Sequence, residues 1–478
     1  MALKIKTTCR IKVLCIFFAV LLFISGCNAP KNALNEFNTS FEREALRENN
    51  YFKTIQIAES KQSESQDPKK EDLLWAMQAG TLERMNKNYQ QSNVYFDKAE
   101  GMLNYFSNQN ETINSIASII TNDNIVPYIG EEYDGIMINT YKALNFMAIG
   151  NKDLARIEFN RALERQKRAA DKFAAEIAKL KKEIDKEDAK SDSSVKDNVE
   201  NPEILEIVKN RYPSLNDFKA YEDFINPFTN YIAGIFFNLD NDSSKATQLL
   251  KEAYGMVGDN DYIANDFALT EQALDGQKEF NNLVWVIFEN GMGPTKDEFR
   301  IDIPLFLEGK KRDGKRDFKY FGIALPKLVF RQEAFPYLSI EANGQSYKTQ
   351  QVANMDRVIQ TEFEKDFKGI LTRAIISATS KAVAQYAITN NSDSSSQVLS
   401  LLTAAYTFAT TAADVRIWTT LPKDFQVARM DIPENRIITV SPAGGNSFQV
   451  EIPACNNAIV YVRIPFRQAK PVYDIMKF

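Results

Sequence analysis

The sequence predicts an α+β fold, with helix hairpins up to about Gly276 followed by antiparallel strands around a helical pair. Three observations point there. Apolar residues recur every three or four positions through the first part. Phe299, Ile301, Ile303 and Leu305 alternate with Arg300 and Asp302, the period of a half-buried strand. Beyond Leu283, short apolar runs are broken by Asn290-Gly291, Gly293-Pro294 and Gly444-Gly445. With 478 residues and 44% hydrophobic content, the chain can build two or more cores.

The N-terminus reads as a leader. Lys4, Lys6, Arg10 and Lys12 come without an acid, and Val13 to Ile24 is almost wholly apolar. Such a run, about twelve residues long, is a secretory h-region and falls short of the roughly twenty that span a membrane. It ends at Ile24-Ser25-Gly26-Cys27, which resembles the lipobox of bacterial lipoproteins. That resemblance implies a signal peptide over 1–26, cleavage before Cys27, a diacylglycerol on its thiol and a further acyl chain, such as palmitate, on its new amino group. More than one chain gives stable anchoring. Asn28 stands where lipoproteins kept in the inner membrane often carry Asp. The expected location is therefore the outer membrane, on its periplasmic face. Residues 27–71 read as a polar tether with one helical stretch near Phe41–Ser60.

Composition narrows the function classes. Loss of the leader's four basic residues from the 58 Lys+Arg, against 63 Asp+Glu, leaves an acidic excess of about nine. An acidic chain without a basic block argues against nucleic acid, whose affinity comes largely from phosphate neutralisation. There is no histidine, which excludes His-based triads and HExxH zinc sites. Of the four cysteines, Cys9 and Cys15 leave with the leader and Cys27 is the lipidation site. Cys455 is then a lone thiol, read as a small buried hydrophobe.

Residues 72–276 contain three helix hairpins with the same pattern. The first carries Gly80, Tyr89, Phe96 and Ala99; the second Ala143, Phe146, Gly150, Ala155, Phe159 and Ala162; the third Gly234, Phe237, Ala246, Leu250 and Ala253. A small residue on the first helix lets the second approach, and a large residue from the second fills the space. The pattern resembles tetratricopeptide repeats. It departs from them at Ser92 and Lys152, lacks the usual proline, and is interrupted by insertions. After the second hairpin, Phe159, Leu163, Gln166, Ala170, Phe173, Ile177, Leu180 and Ile184 follow steps of four and three. This is either a surface helix packed on its own domain or a coiled-coil seam through which copies could pair. Residues 185–201 carry no apolar period and read as a flexible linker, and Pro202 opens a short helix.

Residues 277–478 read as the second domain. Strands are expected at Leu283–Phe288, around Phe299–Leu305, and near Phe318–Ala324, Tyr337–Ala342, Val415–Thr420, Phe425–Met430, Ile437–Val440, Phe448–Ile452 and Ile459–Ile464. Phe363, Phe367, Leu371, Ala374, Ala378, Ala382 and Tyr386 predict one helix, and Val398–Ala413 a second. The run FENGMGPTKDEFRIDIPLF resembles a segment of poorly characterised bacterial lipoproteins that join tetratricopeptide-like helices to a β-rich C-terminal domain. The resemblance implies architecture and location, and no reaction.

No nucleophile elbow, phosphate loop, dinucleotide fingerprint or CxxC motif occurs. Ser377 and Lys381 lie one helical turn apart, but Lys381 reads as a solvated flank residue. DNDSSK and DKEDAKSD lack the glycine and terminal glutamate of a calcium loop, so no cofactor or metal is expected. Glu289, Lys296, Asp297, Glu298 and Arg300 surround a Gly/Pro turn and could form a recognition loop. The reading is a non-enzymatic envelope scaffold that binds protein partners, in cell-wall synthesis or envelope assembly. Its groove would be lined by first-helix side chains: Asn139, Lys142 and Asn145, then Asn230 and Tyr231. The competing expectations are an enzyme acting on peptidoglycan or polysaccharide through paired carboxylates, and a self-assembling component joined along Phe159–Ile184.

Overall fold

A computed structural model describes residues 29–47, 50–63, 71–108, 127–188, 194–212, 226–276, 280–307, 317–389 and 412–478. The leader, Cys27 and most of the expected helix at Val398–Ala413 lie outside them. Among the described residues no helix is long and apolar enough to cross a membrane.

The architecture is α+β. Eleven described helices precede the first strand: α1 Ala29–Arg47, α2 Phe52–Ser60, α3 Asp72–Met85, α4 Tyr89–Asn108, α5 Glu132–Ala148, α6 Lys152–Asp188, α7 Ser194–Val199, α8 Pro202–Arg211, α9 Pro227–Leu239, α10 Ser243–Val257 and α11 Asp261–Leu274. Their ends carry the expected signals. Asn226 accepts from the Phe228 N–H at 3.1 Å ahead of Pro227, and Asn260 accepts from the Ile263 N–H at 3.0 Å.

The small-to-large rule holds in the hairpins α3–α4 and α9–α10. A Cβ on Gly80 would stand 2.7 Å from the Phe96 ring, and one on Gly234 2.7 Å from Leu250. Such gaps admit no added methyl without repacking. In α5–α6, Ala143 and Phe159 occupy the matching positions and both are buried. The tight α5–α6 turn uses Gly150 at φ +76°. Ser92 departs from the repeat pattern for a local reason: its hydroxyl donates to the Gly80 carbonyl at 2.7 Å. Lys152 places its ammonium 5.1 Å over the Phe478 ring, so its partner is the chain's own C-terminus.

Three expectations are corrected. Where it is described, the expected polar tether is part of the body instead: α1 and α2 pack into it. Leu34, Phe37, Phe41, Tyr51 and Ile55 are buried, and Phe41 stacks on Tyr51 at 5.2 Å. The described parts of the expected linker, 185–188 and 194–201, are mostly helical. α6 runs to Asp188, and α7 buries Val195 beside Ile376. A helix of six residues is too short to show a period. Third, the described part of the seam along α6 faces inward. Phe159 packs on Phe236 at 5.1 Å, Leu163 is buried, and Ile184 packs beside the Val195–Ile376 pair.

The strands form three sheets: β1 Leu283–Asn290, β2 Thr295–Leu307, β3 Asp317–Val329, β4 Leu338–Ala342, β5 Gln345–Lys348, β6 Gln350–Asn354, β7 Asp424–Asp431, β8 Ile437–Pro442, β9 Phe448–Glu451, β10 Asn457–Ile464 and β11 Val472–Lys477. The central sheet has order β11-β10-β1-β7-β6, with β1 and β10 parallel and the other pairs antiparallel. β2 and β3 form a long hairpin, and β5-β4-β8-β9 a second antiparallel sheet. The helix α12, Met355–Thr389, lies between β6 and β7 in the chain. The strand expected at Val415–Thr420 is absent. The segment is irregular and buried: the carbonyls of Ile417, Thr419 and Thr420 accept from the side chains of Gln78, Arg331 and Arg463 rather than from a neighbouring strand. Helices and sheets share one continuous apolar core.

Candidate functional site

The residues expected to line a partner groove are all inside. Asn139, Lys142, Asn145, Asn230 and Tyr231 are at most 2% exposed. Asn139 donates to Glu100 at 3.0 Å and Glu158 at 2.7 Å, and accepts from Arg165 at 2.7 Å. The Lys142 ammonium meets Glu100 at 2.6 Å, Asp97 at 2.7 Å and Glu158 at 3.0 Å. Asn145 accepts from Arg84 at 2.7 Å and donates to Ser92 and Asn93. Asn230 accepts from Gln166 at 2.7 Å and donates to Glu252, and the Tyr231 hydroxyl donates to Asp266 at 2.7 Å. These groups tie α5 to α4 and α6, and α9 to α6, α10 and α11. Gln166 is therefore not a register residue for a second copy. It joins α6 to the start of α9, accepting the Asn226 N–H at 2.7 Å.

The electrostatics follow from this packing. Burial pushes the Lys142 ammonium down, but hydrogen bonds to Asp97 and Glu100 outweigh it and leave it raised. Burial pushes Glu100 up, yet hydrogen bonds from Asn139 and Lys142, with the Lys142 and Arg165 charges, bring it down to about 2.

The inner face of the hairpins is covered by the chain's own C-terminal half. Gln78 on α3 donates to the Thr419 hydroxyl at 2.9 Å and accepts from Thr420 at 2.8 Å. The Trp418 indole donates to Thr81 at 3.0 Å. Tyr141 on α5 donates to Glu289 on β1 at 2.8 Å, and Tyr461 on β10 donates to the other Glu289 oxygen at 2.7 Å. Phe228 on α9 stacks on Phe425 of β7 with ring centroids 3.6 Å apart. Asp266 on α11 collects Tyr231, the Trp285 indole and Arg429.

At the centre of this contact, Arg84 lies over the Tyr141 ring at 5.3 Å and the Tyr461 ring at 4.7 Å. Arg463 reaches Glu289 at 3.4 Å and donates to the Gly291 carbonyl at 2.5 Å. A cavity of about 30 Å³ beside Arg84, Tyr89, Glu289, Arg463 and Asp474 has room for about one water. An organic substrate needs ten times that or more. A wider polar groove of about 650 Å³ opens between α1 and α2, beside Asn35, Thr39, Arg43, Lys53 and Gln56.

The recognition loop expected around the Gly/Pro turn is also corrected. Glu289 is buried, Lys296 bonds Glu131 at 3.0 Å, Asp297 pairs with Lys31 at 2.6 Å, and Glu298 holds Arg300 at 2.6 Å. These charges fasten β1 and β2 to α1, α5 and one another. Cys455 is half-buried, its thiol donating to the Pro453 carbonyl at 3.1 Å. Lys381, expected on the surface, is buried.

A cluster that sequence reading did not anticipate joins the start of α5 to α12. Carboxylate oxygens of Glu131, Glu362 and Asp366 lie within 4.8 Å of one another. Glu362 and Asp366 share one helix face at i,i+4, but Glu131 is far away in sequence and no local pattern links the three.

No family model and no curated protein matches the chain. A tetratricopeptide repeat protein from Parabacteroides merdae of known structure is similar over 50% of this chain and 98% of its own, at 12% identity. Its TM-score is 0.13.

Proposed function

We propose that the protein is a lipid-anchored, non-enzymatic envelope scaffold that meets its partner through the outer face of its hairpins. One observation carries the choice of face. Val94 on α4 and Ile157 on α6 stand at the same offset before Phe96 and Phe159, and they are 57% and 44% exposed. Leu154 on α6 and Ile149 at the α5–α6 turn are also exposed, at 39% and 41%. The inner face, by contrast, is spent on the chain's own sheet. The anchor reading rests on the Ile24–Cys27 lipobox. Pro30 is already buried and Lys31 pairs with Asp297, so an acylated Cys27 would hold the body close to the membrane rather than on a tether. An outer-membrane location facing the periplasm, and a role in cell-wall synthesis or envelope assembly, complete the proposal.

Photo-crosslinking in cells tests it. A crosslinker at Val94 should capture one envelope assembly, and the same crosslinker-bearing chain with Ile157→Asp should lose that capture while staying folded. Equal capture from both chains, or none beyond lipid, contradicts the proposal. Self-assembly through the long helix is disfavoured, because Phe159, Leu163 and Gln166 are used within the chain.

A further inference from the structure

We propose that Glu131, Glu362 and Asp366 form a binding site for a hard divalent cation of the calcium type. Each carboxylate offers an oxygen, and the three oxygens lie within 4.8 Å of one another. Three protein carboxylates around one ion are a calcium-type ligand set, whereas magnesium is usually held by one or two carboxylates and keeps several of its waters. Glu362 is held in place from behind. Its two oxygens accept the N–H groups of Glu132 at 2.5 Å and Tyr133 at 3.1 Å, at the first turn of α5. A carboxylate has about four acceptor positions, so lone pairs remain on Glu362 for an ion. Glu131 is 27% exposed in its side chain, which leaves a path from solvent.

A second observation is independent of the carboxylates. Tyr133 is 3% exposed and its hydroxyl has no hydrogen-bond partner among the described residues. A buried phenol without a partner calls for an explanation. The Tyr133 hydroxyl lies close enough to Glu131, Glu362 and Asp366 to interact with their charges, and its own N–H donates to Glu362 at 3.1 Å. It is placed to bond a water on the ion or to contact the ion itself. Lys296, 3.0 Å from one Glu131 oxygen, offsets part of the negative charge. The ion would fasten α5, from the hairpins, to α12, from the C-terminal half.

The test uses the full-length chain in detergent micelles, stripped with EDTA, with radioactive calcium in equilibrium dialysis. We expect one calcium per chain with a dissociation constant of about a millimolar or tighter, and a higher thermal midpoint in calcium than in EDTA. Asp366→Asn and Glu362→Gln should each weaken binding about tenfold or more, and Tyr133→Phe, which removes only the hydroxyl, less than either. No uptake by folded wild-type protein overturns the proposal. Uptake unchanged by Asp366→Asn also overturns it, as does displacement of calcium by an equal concentration of magnesium.

Discussion

Glu289 stands among two arginines and two tyrosines where α3, α5, β1 and β10 meet. Its charge is the counterpart of Arg84 and Arg463 in a place with little water. Glu289→Gln should cost about 3–5 kcal/mol, the usual penalty for stranding a buried charge. Urea titration of the folded chain reads this directly. A second expectation at this scale concerns pH. The chain has no histidine, so few ordinary side chains titrate between pH 5 and 8. Burial, however, raises Asp134 and Asp424 to about 7. A raised carboxyl binds more protons folded than unfolded. Its stabilising contribution is full below the unfolded pKa and is lost as pH rises through the folded one. Stability in EDTA should therefore fall from pH 5 to 8, by up to about 1.4 kcal/mol per pH unit for each group. Glu100, lowered to about 2, acts oppositely, and its contribution is lost only as pH falls below the ordinary carboxylate range toward 2. A flat thermal midpoint from pH 5 to 8 would contradict this account.

At the scale of the helix pair, two glycines should behave oppositely. A side chain at Gly80 meets Phe96, so Gly80→Val should destabilise by about 1–3 kcal/mol and be partly rescued by Phe96→Ala. Gly101 on α4 faces open space, and Gly101→Ala should stabilise by up to about 1 kcal/mol. Thermal unfolding of the three variants checks both. The hairpins were legible because Gly80, Ala143 and Gly234 stand at one spacing from Phe96, Phe159 and Leu250. Most strands were legible from alternation. β5 was not, although Asn343-Gly344, with φ of 51° and 76°, marks its hairpin turn, because its four residues are polar and mostly exposed. β11 has no fully apolar face and is held by pairing with β10. The fate of Asn139, Lys142 and Asn230 was not legible. A polar residue on a helix face looks the same whether it meets water or a buried carboxylate from a distant helix, and Glu100, Glu158 and Glu252 lie on other elements.

At the scale of the whole molecule, the hairpins do not present an open groove. Their inner face is closed by β1, β7, β10 and the irregular segment around Trp418, so helices and sheet complete one core. A chain ending at Gly276 would uncover Tyr141 and Phe228, which are fully buried in the intact molecule against Trp418 and Phe425. It should bind hydrophobic dye and aggregate rather than stand as an independent helical domain. The most direct test is equilibrium unfolding in urea, followed by far-UV circular dichroism for the helices and by fluorescence. Trp75 lies on α3, Trp285 on β1, and Trp418 in the irregular segment before β7 that bonds to α3. The account predicts coincident transitions with one midpoint. Two separated transitions, with helices lost while the Trp285 signal persists or the reverse, would contradict it.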